Sequence, residues 1–62
     1  MLHELTVPRQ AAGQRLDLWL AATLPGCTRS LVQRLIKDGL CTVHPGAARA
    51  GRTLGGGELV AL

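Results

Sequence analysis

Arg29, Gln33 and Lys37 follow one another at i, i+4 and i+8, a spacing that stacks three side chains on one helix face. Arg34 stands beside them, and Thr28 and Ser30 open the same segment. A guanidinium grips phosphate oxygens in a two-pronged fork, and a helix N-terminus offers unpaired N–H groups to the same kind of anion. The amide of Gln33 can donate or accept at a 2′-hydroxyl or a base edge. These residue types at this spacing point to contact with the backbone of a polyanion. Arg49 and Arg52, on a later connection, extend the patch. Arg15 either joins it or serves as a salt-bridge partner.

Other chemistries find less support. His3, Cys27, Cys41 and His44 contain no Cys-x-x-Cys or His-x₃₋₅-His pair of the kind zinc sites use. The glycines at 55–57 lack the Lys-Ser/Thr pair of a phosphate-binding loop and read as a turn between strands. Trp19 is the sole aromatic, and at i+3 from Leu16 it belongs to a core. Stacking of bases on several rings is therefore excluded. No catalytic residue, no metal and no cofactor is expected.

The segment that positions the cations runs from Thr28 to Val43. On a helical wheel Leu31, Val32, Leu35 and Ile36 fall within one arc of roughly 140°, which predicts a buried face. Arg29, Ser30, Gln33, Arg34, Lys37 and Asp38 take the other side. Thr28 is a natural N-cap, and Gly39 suits the left-handed C′ position. Earlier in the chain, Leu5–Val7 alternates as a strand limited by Pro8, and residues 9–13 connect. Gln14–Leu24 is helical, with Leu16, Trp19, Leu20, Thr23 and Leu24 on one side, and Pro25-Gly26 stops it. After Gly39, Cys41–Val43 reads as a strand and His44-Pro45-Gly46 as a turn. Ala47–Thr53 reads as an irregular strand and Glu58–Leu62 as a last one. The expected class is α+β: two packed helices against a small antiparallel sheet of three to four short strands.

The 62 residues allow one domain of marginal stability and cannot wall an elaborate enzyme pocket. Hydrophobic residues make up 47%, enough for a small core. The net charge of +3 is regional. Before Thr28, Arg9 and Arg15 balance Glu4 and Asp17; residues 29–52 then set Arg29, Arg34, Lys37, Arg49 and Arg52 against Asp38 alone. A basic region of this kind favours a polyanion over a merely soluble surface. Glu4 stands where a secretory signal is basic, so Cys27 and Cys41 are expected as reduced thiols in a cytoplasmic protein. No apolar run approaches the ~20 residues of a membrane span.

Several short motifs occur together in order: Gly13-Gln14-Arg15-Leu16-Asp17, Leu20, Leu24-Pro25, Thr28-Arg29-Ser30, Ile36-Lys37-Asp38-Gly39 and Thr42-Val43. From about Val7 to Leu62 the chain resembles the RNA-binding domain first named in ribosomal protein S-four, the alpha-L RNA-binding motif. Its opening strand and Ala12–Asp17 look most like the N-terminal module of bacterial large-subunit-type pseudouridine synthases. The sequence departs from the pattern at His44-Pro45-Gly46, where Asn-Gly is usual, and at Gly57-Glu58 in place of Gly-Asp. Thr28 replaces the usual Ser, and Ala47–Thr53 lacks the usual hydrophobic strand.

The resemblance implies structured RNA as partner, ribosomal RNA foremost, with no DNA and no membrane. It further implies a monomeric module, residues 1–62, within a longer chain whose attached domain isomerises uridine. Those synthases carry an Arg-Leu-Asp motif around their catalytic aspartate. Arg15-Leu16-Asp17 opens a helix of the small domain instead, where Leu16 faces the core and Asp17 favours the helix N-terminus; Asp17 is not read as a nucleophile. Two alternatives are a stand-alone ribosome-associated factor and a protein–protein module using Leu18 and Trp19.

Overall fold

The computed structural model describes residues 3–62. Three short strands form one antiparallel sheet: β1 (Glu4–Thr6), β2 (Thr42–His44) and β3 (Leu59–Ala61). The last strand is central, in the order β1-β3-β2. Leu5, Val60 and Val43 pair across the sheet in one row. Because side chains alternate between faces, this row points inward while Glu4, Thr6, Thr42, His44 and Leu59 are exposed.

Two helices cover the inner face, α1 (Leu16–Thr23) and α2 (Arg29–Lys37). The core is built from Leu16, Trp19, Leu20 and Leu24 of the first helix region, Val32 of α2, and Val7, Val43, Leu54 and Val60. Cys41 lies in this core and Cys27 at its margin, both as free thiols. Thr23, expected on the apolar side, is exposed at the last turn of α1.

The arc predicted for α2 is narrower than four residues. Val32 is fully buried and Leu35 and Ile36 partly so, whereas Leu31 is 41% exposed. The buried stripe centres on Val32, and Leu31 lies about 100° away at its edge.

The ends of α2 follow from its sequence. Thr28 Oγ1 accepts from the Leu31 N–H at 3.1 Å, the N-cap arrangement. At the other end Gly39 takes φ +77°. The Gly39 N–H donates to Ile36 O at 3.2 Å and the Leu40 N–H to Leu35 O at 2.9 Å, the paired bonds of a Schellman motif. A left-handed residue is needed there, and glycine adopts it without a Cβ clash.

The start of α1 is closed differently. Arg15 at the N-cap makes no side-chain cap. The Leu16 N–H donates to Arg52 O at 2.9 Å and the Asp17 N–H to Ala50 O at 3.2 Å. Asp17 Oδ1 accepts from the Leu18 N–H at 2.9 Å. Of the first N–H groups of this helix, which have no partner within it, two are thus satisfied by residues 50–52 and a third by the helix's own Asp17 side chain.

That segment corrects the expectation of a strand over Ala47–Thr53. Only an isolated bridge, Arg15↔Thr53, forms there, and the sheet has three strands. Without alternating apolar residues the segment lays only Ala48 against the core, and its Ala50 and Arg52 carbonyls turn to α1 instead. The same bridge keeps Gln14 and Arg15 out of the helix, which begins two residues later than the sequence pattern predicts.

Candidate nucleic-acid interface

Asp17 is fully buried, yet it is the most heavily bonded side chain described. Arg15 donates to it twice, Nε to Oδ1 at 3.2 Å and Nη2 to Oδ2 at 3.1 Å. Arg29 Nε donates to Oδ2 at 3.2 Å and Gln33 Nε2 to the same oxygen at 2.9 Å. One carboxylate on α1 therefore gathers a residue preceding that helix and two residues of α2.

Burial alone would push the Asp17 carboxyl up. The hydrogen bonds from Gln33, Arg29 and the Leu18 N–H, with the charge of Arg15, outweigh it and hold the carboxyl below its ordinary value. Asp17 is an anion at neutral pH and keeps its donors in place.

The two arginines reach it from solvent. Their side chains are 44% and 51% exposed. Arg29 engages Asp17 through Nε, and among the described residues its two terminal nitrogens have no partner. Arg34 and Lys37 are exposed further along α2, as is Ser30. The Arg29 and Ser30 N–H groups lie in the first turn, where the helix offers no partner. Thr28 contributes as their cap.

Arg52 stands apart from this cluster. Its Nη1 donates to Ala47 O at 3.0 Å and its Nη2 to Pro45 O at 2.7 Å, with Glu58 Oε2 3.7 Å away. It clamps the turn after β2, where the His44–Pro45 peptide is cis. Gly46 takes φ +104°, a backbone conformation that favours glycine, and a Cβ there would displace the Arg52 guanidinium, 2.6 Å away. Glu58 is buried, and its Oε2 accepts from the Gly55 N–H at 2.8 Å. That bond holds its carboxyl below the ordinary range against the opposing effect of burial. Nearby N–H groups of Glu58 and Gly56 help, as does the Arg52 charge.

Arg49 is exposed, and its carbonyl accepts from the Arg52 N–H. Its loop runs beside Arg15, whose Nη2 lies 3.8 Å from where a Cβ on Gly51 would be. Of the candidates, then, Arg15, Arg29 and Gln33 share one centre, while Thr28, Ser30, Arg34 and Lys37 line the same helix. Arg49 borders the group, and Arg52 is turned inward. Trp19 is buried, which leaves Leu18 alone of the pair considered for protein contacts.

Asp17 is the residue that the sequence conceals. Its nearness to Arg15 is visible at two residues' separation, but its bonds to Arg29 and Gln33 cross between helices.

Residues 14–60 match the S4 domain, and this span holds every residue of the cluster. The chain belongs to the S4 domain family. No curated protein matches the sequence. S4 domains bind RNA. Two helices on a three-stranded antiparallel sheet agree with the S4 domain's α/β fold.

Proposed function

We propose that this S4 domain docks structured RNA, ribosomal RNA foremost, for an attached pseudouridine synthase domain, and that the 62 residues themselves carry no catalysis. The observation that carries the docking role is the Asp17 cluster. It fixes Arg15, Arg29 and Gln33 at the open edge of the helix pair, next to the cations and first-turn N–H groups of α2. A preorganised face of this kind loses little side-chain freedom on binding. With one aromatic residue, and that one buried, affinity rests on phosphate contacts and helix shape.

The likeness of Ala12–Asp17 and the opening strand to synthase modules supports the attached domain. The proposed setting is a cytoplasmic protein in which this module acts as a monomer.

Titration of an RNA hairpin at several salt concentrations tests the docking role. Neutralising about three to five phosphates gives a slope of log K against log salt of roughly −2 to −4. Affinity that ignores salt, or no affinity at low salt, overturns it. The coding sequence beyond Leu62 tests the attachment: a synthase domain in frame supports it, and a stop codon refutes it in favour of a stand-alone factor.

A further inference from the structure

We propose that Gln33 is the residue by which this domain distinguishes RNA from DNA, its Oε1 accepting a hydrogen bond from a ribose 2′-hydroxyl. The inference rests on the RNA-binding reading and deepens it. A carboxylate at neutral pH only accepts, so Asp17 fixes which way the Gln33 amide faces. Nε2 turns towards Asp17 Oδ2, at 2.9 Å, and Oε1 turns away. Among the described residues none donates to Oε1, and Gln33 is only half-buried.

The surroundings select the donor. Gln33 follows Arg29 by one helical turn, and both side chains are tied to the same oxygen of Asp17. A phosphate on the terminal nitrogens of Arg29 carries its own ribose only a few covalent bonds away, beside the side chain that shares Asp17 Oδ2 with Arg29. Base edges in an A-form helix lie farther from the phosphates than the 2′-hydroxyls displayed along the shallow groove. A neutral acceptor set among Arg29, Arg34 and Lys37 gives no further hold on phosphate. It gains a partner only when the sugar carries a hydroxyl. The cations bind either nucleic acid, and Gln33 adds the term that deoxyribose lacks.

The test compares one RNA hairpin with the same hairpin carrying 2′-fluoro at every ribose, which retains phosphates and A-form geometry but cannot donate. Each is titrated against the wild-type domain and against Gln33→Met, which preserves the length and packing of the side chain. One hydrogen bond corresponds to about fivefold in affinity. The wild type should lose about fivefold or more on the fluorinated hairpin. Gln33→Met should lose about fivefold on the natural hairpin and show a correspondingly smaller penalty for fluorination. A coupling between the two changes of about fivefold supports the proposal, and a coupling near one overturns it.

Should Gln33→Met not fold, single 2′-fluoro substitutions scanned along the hairpin with the wild-type domain replace it. One position losing about fivefold supports the role, and a uniform absence of loss overturns it. Salt-dependent binding that is equal for both hairpins sinks the Gln33 role while leaving RNA binding intact. No salt-dependent binding at all sinks both.

Discussion

Arg29 Nε lies 3.2 Å from Asp17 Oδ2, so the first residue of α2 is fastened to the first turn of α1. The buried end of that contact joins two helices, and the exposed end carries a charge of the proposed RNA face. Holding the fold together and shaping the binding face are one task for this pair, and the first two predictions follow from that.

Asp17→Asn removes the charge at the centre of the cluster and places amide hydrogens against at least one of its donors. The arginines are half exposed and can rehydrate, which limits the loss to about 2 kcal/mol. Total stability is on the order of 3–9 kcal/mol for a domain this size, so the change is large. Urea denaturation should show a lower midpoint at unchanged m-value. RNA affinity should fall as well, since Arg29 and Gln33 lose their common anchor.

Acid should weaken the domain. Asp17 and Glu58 both sit below their ordinary values of 3.8 and 4.5 in the folded state. Between folded and unfolded values the unfolded chain binds more protons, so stability rises with pH there. The urea midpoint should hold steady from neutral pH down to about 5 and decline below it as the two carboxylates are protonated. Asp17→Asn should show a shallower decline, which a pH series of melts on both proteins would reveal.

The two arginines at 29 and 52 should behave oppositely. Arg29→Ala should reduce the salt slope of RNA binding by about 1 and weaken binding across sequences. Arg52→Ala should leave that slope nearly unchanged and lower stability by about 1–2 kcal/mol through its lost bonds to Pro45 and Ala47. Paired salt titrations and urea melts separate the two roles.

Thr28→Ala should destabilise the domain by about 1 kcal/mol, because the Leu31 N–H loses its cap. Thr28→Ser retains the hydroxyl and should recover most of that loss. Thermal melts of the two variants decide it.

Much of this fold can be read along the chain because its signals are local. The capping hydroxyl of Thr28, the left-handed Gly39 and the apolar spacing of Leu16, Trp19 and Leu20 each act within a turn or two of their own position. Val32 and Leu31 show the limit of that reading. Both are apolar and adjacent, and only the direction from which α1 and the sheet approach decides that one is buried and the other exposed. The strand expected over Ala47–Thr53 failed for a related reason. Its backbone is used by α1, a demand that nothing in its own residues announces.

The binding face divides in the same way. The stripe of Arg29, Gln33 and Lys37 follows from spacing on one helix. That Arg15 joins Arg29 while Arg52 does not depends on Asp17, which bonds across from α1 to α2, and on the Pro45 and Ala47 carbonyls, which the folded turn aims at Arg52. Charge marks a residue as a candidate; its inward partners determine what it can still reach.

The loop carrying Ala50 and Arg52 has the outward marks of a permissive site, being rich in glycine and alanine and outside every strand. Its carbonyls nevertheless complete the first turn of α1. Inserting a tag between Arg49 and Thr53, or opening the chain there to make a circular permutant, would unfasten a helix that begins more than thirty residues earlier. The turn at Gly55–Gly57 carries obligations of its own: the Gly55 N–H serves Glu58, and the Gly57 N–H donates to Val7 O at 2.7 Å. Engineered linkers therefore have little room inside this domain.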